Sequence, residues 1–84
     1  MNAQRLVEMA NDIAAYFQVE PDRAAAVEAM VMHLQRFWEP RMRAQIVSHV
    51  RGGGDGLLPL AREAVTELGH RLDQGQPKPQ GGGG

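Results

Sequence analysis

The sequence predicts an all-α fold, a small four-helix domain followed by a Gly/Pro-rich flexible C-terminal tail, on three observations. Apolar residues recur at spacings of three and four, prolines stand where new helices can begin, and no stretch alternates apolar with polar residues as a half-buried strand would. The chain has 84 residues, enough for one small domain. The helical domain is expected over 1–72 and the tail over 73–84.

The first helix is carried by Leu6, Met9, Ala10, Ile13 and Phe17, which fall on one helical face. It is expected to stop near Gln18, because a proline pushes the residue before it out of the helical region and Pro21 follows closely. Pro21 is expected to open the second helix, with Asp22 favourably placed in its first turn. Three alanines then favour helix, and Val27, Met30, Val31, Leu34, Phe37 and Trp38 form an apolar stripe. Pro40 would break a helix that continued through it, so Glu39 is read as a junction and Pro40 as the start of a third helix. Met42, Ile46, Val47 and Val50 give that helix its apolar side. Four glycines in the five positions Gly52-Gly53-Gly54-Asp55-Gly56 end it. Pro59 is placed to start a fourth helix, in which Leu60, Ala61, Ala64, Val65, Leu68 and Leu72 restore helical spacing. Phe17, Leu34, Ile46, Val65 and Leu68 are the expected core contributors. Beyond Leu72 no apolar side chain is large enough to offset the entropy of ordering the backbone.

Composition excludes several functions. With no cysteine the chain offers neither a disulfide nor a thiolate metal or cluster site. No apolar run is long enough for a membrane span or signal peptide, so a soluble, cytoplasmic protein is expected. The net charge of −1 gives no general attraction to nucleic acid or anionic lipid. Charge is unevenly distributed, however. Residues 1–31 carry five acids against two arginines, whereas residues 32–51 carry Arg36, Arg41, Arg43 and Arg51 against Glu39.

That basic region surrounds the most distinctive run in the chain, Phe37-Trp38-Glu39-Pro40-Arg41-Met42-Arg43, which contains its only tryptophan. Trp and Arg are enriched where one protein grips another, through a large apolar ring and a rigid fork of donors. Arg36, Trp38, Pro40, Arg41, Met42 and Arg43 are therefore the candidate partner-binding residues. Phe37, and Trp38 in part, are expected to tie the bend to the core, leaving Arg41 and Arg43 as the favoured docking contacts. Met32 lies on the opposite side of its helix from Val31 and Leu34, which marks it as a surface residue.

Catalytic or metal chemistry finds no constellation. His33, His49 and His70 lack partners at the spacing that aligns two ligands on one helix, and His49 suits the negative end of the third helix. Ser48 and His49 are adjacent, so they point in different directions and do not form a nucleophile–base pair. The glycine run has no preceding strand and no following Lys and Ser or Thr, so it reads as a helix stop and connection instead of a phosphate loop. No catalytic, cofactor-binding or metal-binding residues are assigned. A DNA-binding regulator, with the third helix in a groove, needs phosphate contacts beyond the single basic patch and ranks below protein docking.

The segment from His33 to Arg43, followed by Gly53-Gly54-Asp55-Gly56-Leu57-Leu58-Pro59-Leu60 and Ala64-Val65, closely resembles the small delta subunit of NAD-dependent formate dehydrogenase. Met9 to Ala14 and Tyr16-Phe17 resemble it as well, and the likeness covers most of residues 5–68. The resemblance implies a non-catalytic accessory subunit of a cytoplasmic complex that oxidises formate to carbon dioxide. It implies docking on the catalytic alpha subunit, within a complex that also has beta and gamma subunits, and no nucleic-acid or membrane partner. The expected cofactors sit on other subunits: molybdenum or tungsten held by two pterin guanine dinucleotides, iron–sulfur clusters, FMN and NAD. A transient role in inserting the metal–pterin cofactor is the alternative that the resemblance allows.

Overall fold

The computed structural model describes residues 2–75. Four helices follow one another: α1 (Ala3–Phe17), α2 (Arg23–Phe37), α3 (Pro40–Arg51) and α4 (Pro59–Gly75). The described residues contain no strand. The Asn2 side chain caps α1 by accepting from the Arg5 amide at 2.8 Å. Pro40 and Pro59 are the first residues of α3 and α4, as their fixed φ and missing N–H dictate.

The second helix begins two residues later than Pro21 suggests. Asp22 is its cap, held extended at φ −84° and ψ 110°, with Oδ1 accepting from Ala24 N at 3.0 Å and Ala25 N at 3.4 Å. Asp22 thus acts by direct bonds to the helix's orphan amides as well as by its charge. At the other end of the chain, α4 continues past Leu72 to Gly75. Asp73 holds this last turn against α3 through a 2.8 Å ion pair with Arg51. The remainder of the expected tail, 76–84, lies outside the described residues.

Helix α4 packs against all three other helices, most extensively against α2. Two ion pairs join α2 to α4: Arg23 with Glu63 at 2.7 Å, and Glu28 with Arg71, which also binds Glu67. Partners ascend together along both helices, so α2 and α4 run in the same general direction. The core is fully buried at Leu6, Met30, Leu34, Ile46, Val65 and Leu68. Small side chains at Ala10, Ala14, Ala61 and Ala64 lie within it and let the helices approach closely. Four of the five expected core residues, Leu34, Ile46, Val65 and Leu68, are buried, whereas Phe17 is a partly buried residue at the edge.

The glycine loop is fastened on three sides. The amides of Gly52, Gly53 and Gly54 donate to carbonyls of the last turn of α3, so they are already used and form no phosphate cradle. From α1, Asn11 Nδ2 donates to the Gly56 carbonyl and Asn11 Oδ1 accepts from Leu58 N, both at 2.9 Å. From α4, Arg62 donates to the carbonyls of Gly53 at 2.7 Å and Gly54 at 3.1 Å. His49 Nε2 lies 2.8 Å from the Asp55 carbonyl oxygen, which makes that nitrogen the protonated donor.

Candidate functional site

The bend between α2 and α3 divides the partner-binding candidates into two groups. Phe37 is the last residue of α2, and Trp38 and Glu39 are extended, with ψ of 142° and 154°. This change of conformation turns Trp38 inward, where it is only 5% exposed, and leaves Phe37 outward at 67%. The expectation is met at Trp38, which ties the bend to the core, and corrected at Phe37, which faces solvent because the helix ends at it. Two adjacent residues of one helix would be separated by about 100°, but that period ends at Phe37.

Arg43 also serves the bend. Its Nη1 donates to the Gln35 carbonyl at 3.2 Å and to the Trp38 carbonyl. These are carbonyls at the end of α2, whose acceptors have no partner within the helix. Its Nε is buried without a hydrogen-bond partner, which shows that the guanidinium is inserted into the joint. Met42 is partly buried against the core. Arg36, Pro40 and Arg41 are exposed.

The remaining arginines explain why Arg36 and Arg41 stand out. Eight arginines fall among the described residues. Arg5, Arg23, Arg51 and Arg71 are in ion pairs, while Arg43 and Arg62 bind backbone carbonyls. Of these eight arginines, only Arg36 and Arg41 have no ion pair or side-chain hydrogen bond among the described residues. The hydrogen bond from Arg71 holds Glu28 below the ordinary carboxylate value, with burial opposing it. Arg23 does the same to Glu63. Those charges are neutralised within the fold, and the positive charge at the α2–α3 bend is not.

Sequence reasoning missed the outward aromatic residues beside this bend. Phe37 packs on His33 with ring centroids 4.8 Å apart, and His33 packs on Phe17 at 5.8 Å. Tyr16 continues the row from Phe17 at 5.0 Å. The i, i+4 spacing of His33 and Phe37 was the available signal. Met32, expected at the surface, is 51% exposed. Helix α2 thus presents apolar residues both to the core and to solvent.

The chain lacks cysteine, and among the described residues no three His, Cys, Asp or Glu side chains converge. No helix among the described residues is long and apolar enough to cross a membrane.

Neither the curated proteins nor the solved structures contain a match to this chain. A family model, described as NADH-dependant formate dehydrogenase delta subunit FdsD, matches residues 5–65. The match spans most of α1, all of α2 and α3, the fastened glycine loop and the first part of α4, and so includes the whole bend. The chain belongs to the delta-subunit family of NADH-dependent formate dehydrogenase.

Proposed function

We propose that this chain is a non-catalytic accessory subunit that docks on the catalytic alpha subunit of formate dehydrogenase and stabilises it. One observation carries the reading to a particular surface: Arg36 and Arg41 are the uncommitted arginines, and they flank exposed Phe37 at the α2–α3 bend. Arg offers five donors in a rigid fork suited to carboxylates, and an aromatic ring beside it supplies apolar area. The alpha-subunit surface that meets them is therefore acidic around an apolar centre. Beta and gamma subunits complete the complex, which works in the cytoplasm.

The complex's chemistry belongs to other chains in this reading. The molybdenum or tungsten bis-pterin centre, the iron–sulfur clusters, FMN and NAD sit on subunits that have the ligands this chain lacks. Its own residues contribute binding and shape. Trp38 and Arg43 fix the bend, and the fixed bend presents Arg36, Phe37 and Arg41 on a backbone with little entropy left to lose on docking.

Co-purification of the chain with tagged alpha subunit from co-expressing cells tests the proposal. Stoichiometric recovery in the mature complex is expected, with an affinity reduced about tenfold or more by Arg36→Ala plus Arg41→Ala, as for hot-spot losses. A folded double variant that binds with undiminished affinity contradicts the assigned surface. A chain found with immature alpha subunit and absent from the mature complex contradicts the permanent-subunit role, in favour of transient cofactor insertion.

A further inference from the structure

We infer that the outer seam between α1 and α2 is an anchor site for a bulky apolar side chain of the alpha subunit, with a carboxylate of that subunit meeting Arg36. The inference rests on the proposed docking to a formate dehydrogenase subunit and extends it beyond the bend. A cavity of about 380 Å³, open to solvent, is lined by Asp12, Ile13, Tyr16, Phe17 and His33. Four of these five residues offer apolar or ring surface, so the cavity matches a hydrophobic side chain better than a polar metabolite.

The walls of the seam are built as a continuous row of rings. Tyr16 meets Phe17 edge-on at an interplanar angle of 83°, Phe17 meets His33 at 69°, and His33 meets Phe37 at 47°. Tyr16 is 72% exposed, yet each ring is braced by the next. Such rings offer large contact area with few rotatable bonds, so little entropy is lost when a partner covers them. An exposed apolar patch with a polar edge marks an interaction surface.

Charge selects the occupant. Arg36 follows Met32 by four residues on the outward side of α2 and precedes Phe37, so a cation without an internal partner borders the aromatic row. Asp12 on the cavity wall disfavours a carboxylate inside it, so a partner that buries the row gains by placing the apolar group in the cavity and a carboxylate outside it at Arg36. A second copy of this chain would bring Arg36 and Arg41 to the interface twice, which disfavours self-association there.

The test compares full-length wild type, Tyr16→Ser plus Phe37→Ser, Arg36→Glu, and the distant control Arg5→Ala in binding to purified alpha subunit. Circular dichroism and urea midpoints establish that each variant is folded. The expected result is a loss of about tenfold or more for the ring variant and for Arg36→Glu, with no change for Arg5→Ala. Failure of wild type to bind alpha subunit overturns the docking reading itself. Wild-type binding with a folded ring variant that binds within about twofold overturns only the anchor site. Sedimentation showing a wild-type dimer, abolished by the ring variant while alpha-subunit binding persists, also overturns the anchor site and makes the occupant a second copy.

Discussion

Arg43 donates to the carbonyl oxygens of Gln35, at 3.2 Å, and Trp38, so a side chain from the first turn of α3 closes the last turn of α2. A motif that reads as a docking run thus spends one of its arginines on its own architecture. Arg43→Ala is expected to cost about 1–3 kcal/mol, because a charge-assisted donor is lost and helix-end carbonyls are left open. Arg43→Met retains the apolar stem and removes the partnerless Nε, so its loss is expected to be smaller than that of Ala. Arg41→Ala should stay within about 0.5 kcal/mol of wild type. Urea unfolding monitored by far-ultraviolet circular dichroism separates the three.

Trp38 and Phe37 give the sharpest contrast between neighbouring residues. Trp38→Ala empties a buried site and is expected to cost about 3–5 kcal/mol. Phe37→Ala, at a 67% exposed position, should stay below about 1 kcal/mol. Thermal unfolding of both variants checks the assignment. A reversed order would return Phe37 to the core.

Much of this architecture was legible because local rules govern it. Pro40 and Pro59 fix φ wherever they stand, so both helix starts follow from the sequence. Leu34, Ile46, Val65 and Leu68 obey the helical period. The inward direction of Trp38 was legible only in part, because the residue leaves the helix in extended conformation and periodicity stops one position earlier. Arg43's role depends on carbonyls five and eight residues back, across the bend. The extension of α4 to Gly75 is accompanied by the ion pair between Arg51 and Asp73, and the loop is attached through Asn11, 45 residues before Gly56. Such contacts exist only after the chain has folded. The aromatic row was missed for the same reason, since Tyr16 and Phe17 meet His33 only when α1 and α2 pack.

The loop supplies the next expectation. Asn11→Ala removes both the donor to Gly56 and the acceptor for Leu58, and is expected to cost about 1–3 kcal/mol. Gly54 has φ +70°, and a Cβ there would lie 2.6 Å from Arg62 Nη1. Gly54→Ala should therefore cost about 1–2 kcal/mol in backbone strain, before the displacement of Arg62 is counted. Gly52→Ala, where a Cβ would meet nothing nearer than 3.6 Å, is the control and should remain close to wild type. Chemical denaturation of the set measures the differences.

Acid should weaken the α2–α4 contact. The carboxyls of Glu28 and Glu63 are held below their ordinary value of 4.5 by hydrogen bonds from Arg71 and Arg23. A carboxyl lowered in the folded state contributes stability that is fully present above its unfolded value and lost as pH falls through its folded value. Melting temperature should therefore be insensitive to these groups near neutrality and decline below about pH 4.5, the unfolded value. Replacing both by Gln should lower stability at neutral pH and flatten the acid limb. An unchanged acid limb in the double variant would remove these pairs from the account.

The central claim is that the bend between α2 and α3 carries the contact with the catalytic subunit. Amide hydrogen exchange of the full chain, free and bound to purified alpha subunit, tests it directly. The account predicts new protection concentrated from Met32 to Met42, with lesser protection at Ile13 to Phe17. Protection confined to the outer side of α3 and α4, with exchange from Met32 to Met42 unchanged, would contradict it.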